Sequence, residues 1–489
     1  MKKLVTCLFV FVFGLFLVSC SPNGYYPNMG SISEDILNSE EYLELQEKGY
    51  MSTDVNNKVN VSLDSSTAAY SNIRQRIKHR SYIEHDMVNI EQMLSYFNYS
   101  YVNDSEEQLK SFLELGNCPW NDESKLLSVA IKAKEYSLEN QKPSNFVFLL
   151  DVSGSMNQEN KLPLMVEAFK ILIDNLNDDD RVSIVTYAGR EQVILEGAYG
   201  YEKTKISAAI SELSASGSTA GADGIRTAYK LANKYFIEGG NNRVFLATDG
   251  DFNVGISSTA LLKTFIAAKR LTGVYLSLFG FGTGNLKANV MDTLASAGNG
   301  QYYYIDSILE AKKVFVSSLG GTLETVAKDC KAQVEFNKDV VAGYRLIGYE
   351  NKELTDEEFE DSETDAGEIG AGHTTICLLE VIMRPGYEDY EGEIARCVLR
   401  YKDARDNEMN KEIINKVYSL SNNPSNDFIF ASAVVEFGLV LRNSEYMGYA
   451  TCENILDRID NEIFKSDPYK EEFIELIKIY NEYQNDVIY

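Results

Sequence analysis

The chain has 489 residues, 73 of them acidic and 46 basic, for a formal net charge of -27. That length exceeds a single compact core and corresponds to roughly three units of ordinary domain size. The acidic field repels nucleic acid and offers no attraction to anionic membrane surfaces, which excludes DNA and RNA as natural partners.

Met1, Lys2 and Lys3 precede a nearly unbroken apolar stretch from Leu4 to Val18. This is the layout of an export signal, and it is short for a membrane-spanning helix, so residues 1–19 are expected to be a signal peptide. The stretch ends Leu17, Val18, Ser19, Cys20, which resembles the bacterial lipobox and implies that Cys20 becomes a lipidated N-terminus. Several acyl chains on one cysteine give durable membrane attachment, which a single chain does not. Ser21, rather than an acidic residue, follows, and by resemblance to lipoprotein sorting this favours the outer over the inner membrane. The expected location is the bacterial cell envelope. Residues 20–55 lack apolar periodicity and are expected to form a tether.

Residues 56–142 mix short elements, including VNVSLDSSTAAYSNIRQRI and MVNIEQMLSYF, and are expected to form a small α+β module. From Asn145 strands and helices alternate. FVFLL (146–150) ends at Asp151, and Leu162, Val166, Phe169, Leu172, Ile173 and Leu176 then recur at helical spacing. Strand-like runs follow at 181–188, 191–195, 243–248 and 274–282, with helix-like segments near 203–213, 220–236, 258–271 and 287–297. Such alternation predicts α/β architecture over 143–316, a doubly wound, mainly parallel sheet. The runs at 181 and 191 are joined too tightly for a crossover helix, so one of them must be an antiparallel edge strand. After about 316 the alternation is lost. Strands at 328–348, 374–384 and 393–402 and helices at 427–442 and after Ser466, Asp467 and Pro468 predict a third, α+β region over 317–489.

Without Cys7 and Cys20, five cysteines remain: Cys118, Cys330, Cys377, Cys397 and Cys452. Their scatter, with no CxxC pair, fits small buried hydrophobes better than a zinc site or a disulfide framework.

Asp151, Ser153 and Ser155 spell D-x-S-x-S directly after the first parallel strand, and Asp249 directly follows the strand at 243–248. In a doubly wound sheet of order 3-2-1-4-5-6, strands 1 and 4 are neighbours whose carboxyl ends flank the ligand-binding switch point. Thr219, in the loop GSTAG, can reach the same crevice. Two carboxylates and three hydroxyls form an all-oxygen, hard-cation set, suited to magnesium with manganese or calcium as competitors. A magnesium ion there would have few charged protein ligands, leaving room for a carboxylate from a protein partner. Asp251 reads as a turn residue or an acceptor behind the ligands.

DVSGSM (151–156), GSTAG (217–221) and ATDGDFNVG (247–255) resemble the metal-ion-dependent adhesion site of von Willebrand factor type A domains. The resemblance covers about 143–316 and implies that the doubly wound, mainly parallel sheet has six strands, and that Ser153, Ser155 and Thr219 face the metal, with Asp151 and Asp249 acting directly or through water. It also implies metal-dependent protein binding or adhesion without catalysis. By analogy with relatives, the helix at about 287–297 or 307–318 is a candidate to shift on ligand binding. CPWN (118–121), FNVG (252–255) and YRLIGYEN (344–351) resemble a bacterial lipoprotein subgroup carrying this domain between two segments of unknown role.

Other chemistries fit less well. The only histidines are His79, His85 and His373, all outside the predicted sheet, so a Ser-His-Asp hydrolase would need one to reach across domains. GFGTGN (280–285) lacks the full G-x-G-x-x-G and falls at the fifth strand, whereas the dinucleotide fingerprint belongs to the first. A scaffold in which the metal only stiffens loops is the alternative to an adhesin.

Overall fold

Strand Ser144–Asp151, SNFVFLLD, is buried along its whole length. Phe146, Phe148 and Leu150 belong to one hydrophobic cluster and Val147 and Leu149 to another, as a strand covered by helices on both faces requires. In this computed structural model, the structure describes residues 42–63, 66–136, 142–217, 222–250, 258–283, 287–317, 325–405 and 410–487. The signal and lipidation expectations for residues 1–19 and Cys20 therefore lie outside the described residues.

Ser144–Asp151 pairs in parallel with Arg181–Tyr187 on one side and Asn241–Thr248 on the other. Val274–Phe281 and Tyr302–Ile305 extend the sheet in parallel beyond Asn241–Thr248. Glu191–Tyr199 closes the opposite edge, antiparallel to Arg181–Tyr187. The order is 3-2-1-4-5-6 in chain terms, the one expected, with the antiparallel strand at the edge. This is an α/β, mainly parallel six-stranded sheet. Helices Leu162–Asp174, Lys203–Ser211 and Ile308–Lys312 cover one face, and Ala222–Lys234, Thr259–Arg270 and Ala288–Ala297 the other. Two boundaries move. The edge strand runs to Tyr199 instead of stopping at 195, and the sixth strand is the short aromatic run Tyr302–Ile305.

The flanks differ from the two modules expected at 56–142 and 317–489. Their strands interleave in two antiparallel sheets, so they share one body. One sheet joins Met51–Ser52, Val341–Ile347, Thr374–Met383, Lys125–Ala133 and Leu109–Asn117. The other joins Glu353–Leu354, Lys58–Ser62, Thr325–Phe336, Ala395–Asp403 and Asn410–Val417, with Gly367–Gly370 paired to Thr325–Phe336. Val59 and Val61 from the first flank, and Val334, Cys397, Leu399 and Tyr401 from the second, meet in one core between the sheets. Each such valine or leucine side chain contributes roughly 1.5–3 kcal/mol on burial. The α/β unit is thus inserted between two halves of a sandwich that neither half completes alone. Residues 42–55, expected in the tether, are also corrected: Leu45 is buried and Met51–Ser52 is a sheet strand, because the sandwich edge supplies the backbone partners that a free tether lacks.

A helical layer covers the outer face of the first sheet. Ile90–Tyr96, Asn426–Arg442, Cys452–Ile459 and Pro468–Val487 pack there with Trp120, Ile376 and Leu378. The motif residues are joints in this assembly. Trp120 Nε1 and Arg345 Nη2 both donate to Glu380 Oε1, at 2.8 and 2.6 Å, and Arg442 Nη1 donates to Glu350 at 2.6 Å. Gly348 has φ +83, and a Cβ there would lie 2.9 Å from Ile90 Cβ, so glycine is needed on both counts. Cys118, Cys330, Cys377, Cys397 and Cys452 are buried free thiols, as their scatter implied.

Candidate metal centre

Asp151 is the last residue of the central strand, and Asp249 directly follows the neighbouring strand Asn241–Thr248. Both are fully buried. Asp151 Oδ1 accepts from the Ser153 amide at 2.9 Å, and Asp151 Oδ2 accepts from Thr248 Oγ1 at 3.2 Å. The chain then turns through a short 3-10 helix, Gly154–Met156, which sets the Ser153 and Ser155 hydroxyl oxygens 3.0 Å apart. Ser153 is buried, Ser155 half-buried and Gly154 exposed, so the site opens outward at this turn.

Two backbone hydrogen bonds bring a second loop alongside: Ser216 N donates to Val152 O at 2.8 Å, and Gly154 N to Gly217 O at 3.1 Å. A Cβ on Gly154 would lie 3.3 Å from that carbonyl, and Gly217 has φ +82; at Gly217 the left-handed backbone is what calls for glycine. Thr219 lies two residues beyond Gly217 and outside the described residues, as do Asp251 and FNVG. The structure thus brings together Asp151, Ser153, Ser155 and Asp249 of the five expected residues.

Sequence reasoning missed a sixth, Lys161. It precedes helix Leu162–Asp174, and its Nζ donates to Asp249 Oδ2 at 2.9 Å, with the two side chains 3% and 0% exposed. Lysine placed before an amphipathic helix carries no periodic signal, so only the folded chain reveals where its long side chain ends. Gly282 makes the path: with φ +74, any Cβ there would meet Lys161 Cγ, Cε and Cδ at 2.4 to 2.9 Å. Tyr304 Oη donates to the Gly282 carbonyl at 2.8 Å and holds that loop in place.

Burial raises the Asp151 carboxyl to about 6, hydrogen bonds from Ser153 pull it back, and the Asp249 charge pushes it up again. Asp151 and Asp249 bring two buried carboxyl groups to the site, and among the described residues the Lys161 ammonium pairs with Asp249; burying the second charge is costly. The donors are all oxygen. Among the described residues no three His, Cys, Asp or Glu side chains gather as a metal cluster; a cation here would rest on two carboxylates and hydroxyls. Charge and donor type both fit a hard divalent ion. His79 and His85 lie on the first flank, while His373 adjoins the sandwich strand Thr374–Met383, its carbonyl accepting from Ala133 N at 2.9 Å. No histidine belongs to the α/β unit that a triad would need.

A doubly wound sheet with D-x-S-x-S after its first strand and aspartate after its fourth has the form of a von Willebrand factor type A domain, and the family model of that description matches residues 145–316. A model described as von Willebrand factor matches 36–128, and one described as the C-terminal part of uncharacterized protein YfbK matches 321–483. The chain belongs to the family of the uncharacterized protein YfbK of Escherichia coli (strain K12), to which it is 37% identical over 444 residues, 86% of this chain and 77% of that protein. The uncharacterized protein sll0103 of Synechocystis is 31% identical over 193 residues, 39% of this chain and 44% of that protein. Among solved structures, the von Willebrand factor type A protein from Catenulispora acidiphila is 16% identical, covering 69% of this chain and 81% of that one with a TM-score of 0.41.

Proposed function

We propose that this protein binds an acidic protein partner through a magnesium ion held by Asp151, Ser153, Ser155, Thr219 and Asp249, and that it does so without catalysis, as a lipid-anchored protein of the bacterial cell envelope. The carrying observation is the convergence of Asp151, Ser153 and Ser155 with Asp249 at the switch point of the sheet. Bound there, magnesium would supply a Lewis-acidic centre with open positions for water or a carboxylate oxygen; manganese and calcium are competitors. The chain's part is orientation. The Ser153 amide and Thr248 hydroxyl fix the Asp151 carboxylate, and the turn at Gly154 leaves the mouth open to a partner.

Anchoring rests on the lipobox-like sequence ending at Cys20; among the described residues no helix is long and apolar enough to cross a membrane. In this reading 1–19 is a signal peptide, a tether begins at Cys20, and 143–316 is the binding domain carried by its two flanks. Magnesium titration calorimetry on the detergent-solubilised chain tests the site. Binding should disappear in Asp249→Ala, and unaltered binding in that variant would remove the site from the proposal. Incorporation of labelled fatty acid should vanish in Cys20→Ser; labelling that persists would remove the anchor.

A further inference from the structure

We infer that Lys161 is a tethered counter-cation of this centre, which neutralises Asp249 in the metal-free protein and thereby sets how tightly the site takes a divalent ion. The inference rests on the metal reading above and deepens it. Its basis is a built slot and not a chance surface contact. The stem of Lys161 crosses Gly282 where no side chain could fit, and the ammonium ends 2.9 Å from Asp249 Oδ2 with both side chains out of solvent. The backbone is fixed at both ends of the slot, since Lys161 O accepts from Met165 N at 2.8 Å to start the helix and Gly282 O accepts from Tyr304 Oη at 2.8 Å.

An ammonium on one of two buried carboxylates has two consequences. Without metal, it offsets the charge of the buried Asp249 carboxylate, which is costly to hold away from water. With metal, it is a fixed positive charge beside a divalent cation, and in a partly desolvated site such repulsion is large. The site is therefore weaker for cations, and more stable without them, than its carboxylates and hydroxyls alone would make it. A purely structural pair, serving only to anchor the helix, would leave metal affinity unchanged when the charge is removed.

The test uses the full chain in detergent as wild type, Lys161→Met and the double variant Lys161→Met/Asp249→Asn, with magnesium affinity measured by calorimetry and thermal midpoints measured in chelator. Lys161→Met should bind magnesium at least roughly tenfold more tightly than wild type, melt lower in chelator, and recover its midpoint on adding magnesium. The double variant should regain the chelator midpoint and lose the binding. If Lys161→Met does not fold, Lys161→Gln, which keeps a donor without the charge, carries the same expectations. Magnesium binding by Lys161→Met that is no tighter than that of wild type would overturn the role of Lys161 and leave the metal reading standing. Absence of magnesium binding in both wild type and Lys161→Met would overturn the metal reading, and the inference with it.

Discussion

Arg74 Nη2 lies 2.8 Å from Glu310 Oε2, and neither side chain is exposed by more than 1%. Arg74 stands on helix Ala68–Lys78 of the first flank and Glu310 on Ile308–Lys312, the short helix that follows the sixth strand of the α/β unit. The same guanidinium pairs with Asp306, with Glu472 of the C-terminal helix at 2.9 Å, and with the Tyr96 hydroxyl at 2.8 Å. One buried cation thus joins both flanks to the inserted domain. Any shift of the segment at 307–318 must break this cluster or carry the flanks with it.

Arg74→Leu should therefore destabilise the protein severely, by about 3–5 kcal/mol, because it leaves buried carboxylates without their partner. Arg74→Lys, which keeps the charge and loses the fork, should cost less. Urea unfolding measures both. A loss below about 1 kcal/mol for Arg74→Leu would show that the cluster does not hold the parts together.

Gly282→Ala and Gly386→Ala separate backbone strain from steric conflict. Both residues have positive φ, +74 and +86, but a Cβ on Gly386 meets nothing within 4 Å whereas one on Gly282 strikes the Lys161 stem. Gly386→Ala should cost about 1–2 kcal/mol, the strain alone. Gly282→Ala should cost more and, by displacing Lys161, should also alter magnesium affinity. Equal losses in stability with unchanged affinity would contradict the slot.

Lys313 gives a signed pH dependence. Its ammonium lies 4.3 Å from the Tyr96 ring centroid and 4.1 Å from that of Tyr469. Burial lowers it to about 8, against the pull of Glu310 and Asp467. Between that value and the ordinary lysine range the unfolded chain holds a proton that the folded chain has released, so this group makes stability rise with pH above about 8. Its contribution is lost as pH falls through about 8. Denaturant midpoints from pH 8 to 9.5 should rise less steeply in Lys313→Met than in wild type, about one proton's worth of slope being removed. Parallel curves would count against a depressed Lys313.

Trp120 is the single tryptophan of the chain. It is fully buried, and its indole donates to Glu380 on a strand from the other flank. A chain ended at residue 320 lacks Glu380, the strands Thr325–Phe336 and Thr374–Met383, and the covering helices Asn426–Arg442, Cys452–Ile459 and Pro468–Val487. Its tryptophan emission should shift to that of a water-exposed indole. Emission that stays blue-shifted would mean the first flank folds without the second.

The amino-acid pattern by itself determined the inserted sheet, because a strand buried on both faces must be a continuous apolar run such as FVFLL, and the helices covering it must repeat their apolar residues at helical spacing. It likewise placed Asp151, Ser153, Ser155 and Asp249 at or just beyond the carboxyl ends of strands, since those ends follow from the alternation. It under-read Tyr302–Ile305, where four residues are too few to show a period, and it separated flanks that are one body. Only the tertiary structure decided that Lys58–Ser62 lies beside Thr325–Phe336 and that Lys161 reaches Asp249. Strand pairing across more than 260 residues and the end point of a flexible side chain leave no local pattern. They are settled by which surfaces bury one another once the chain has folded.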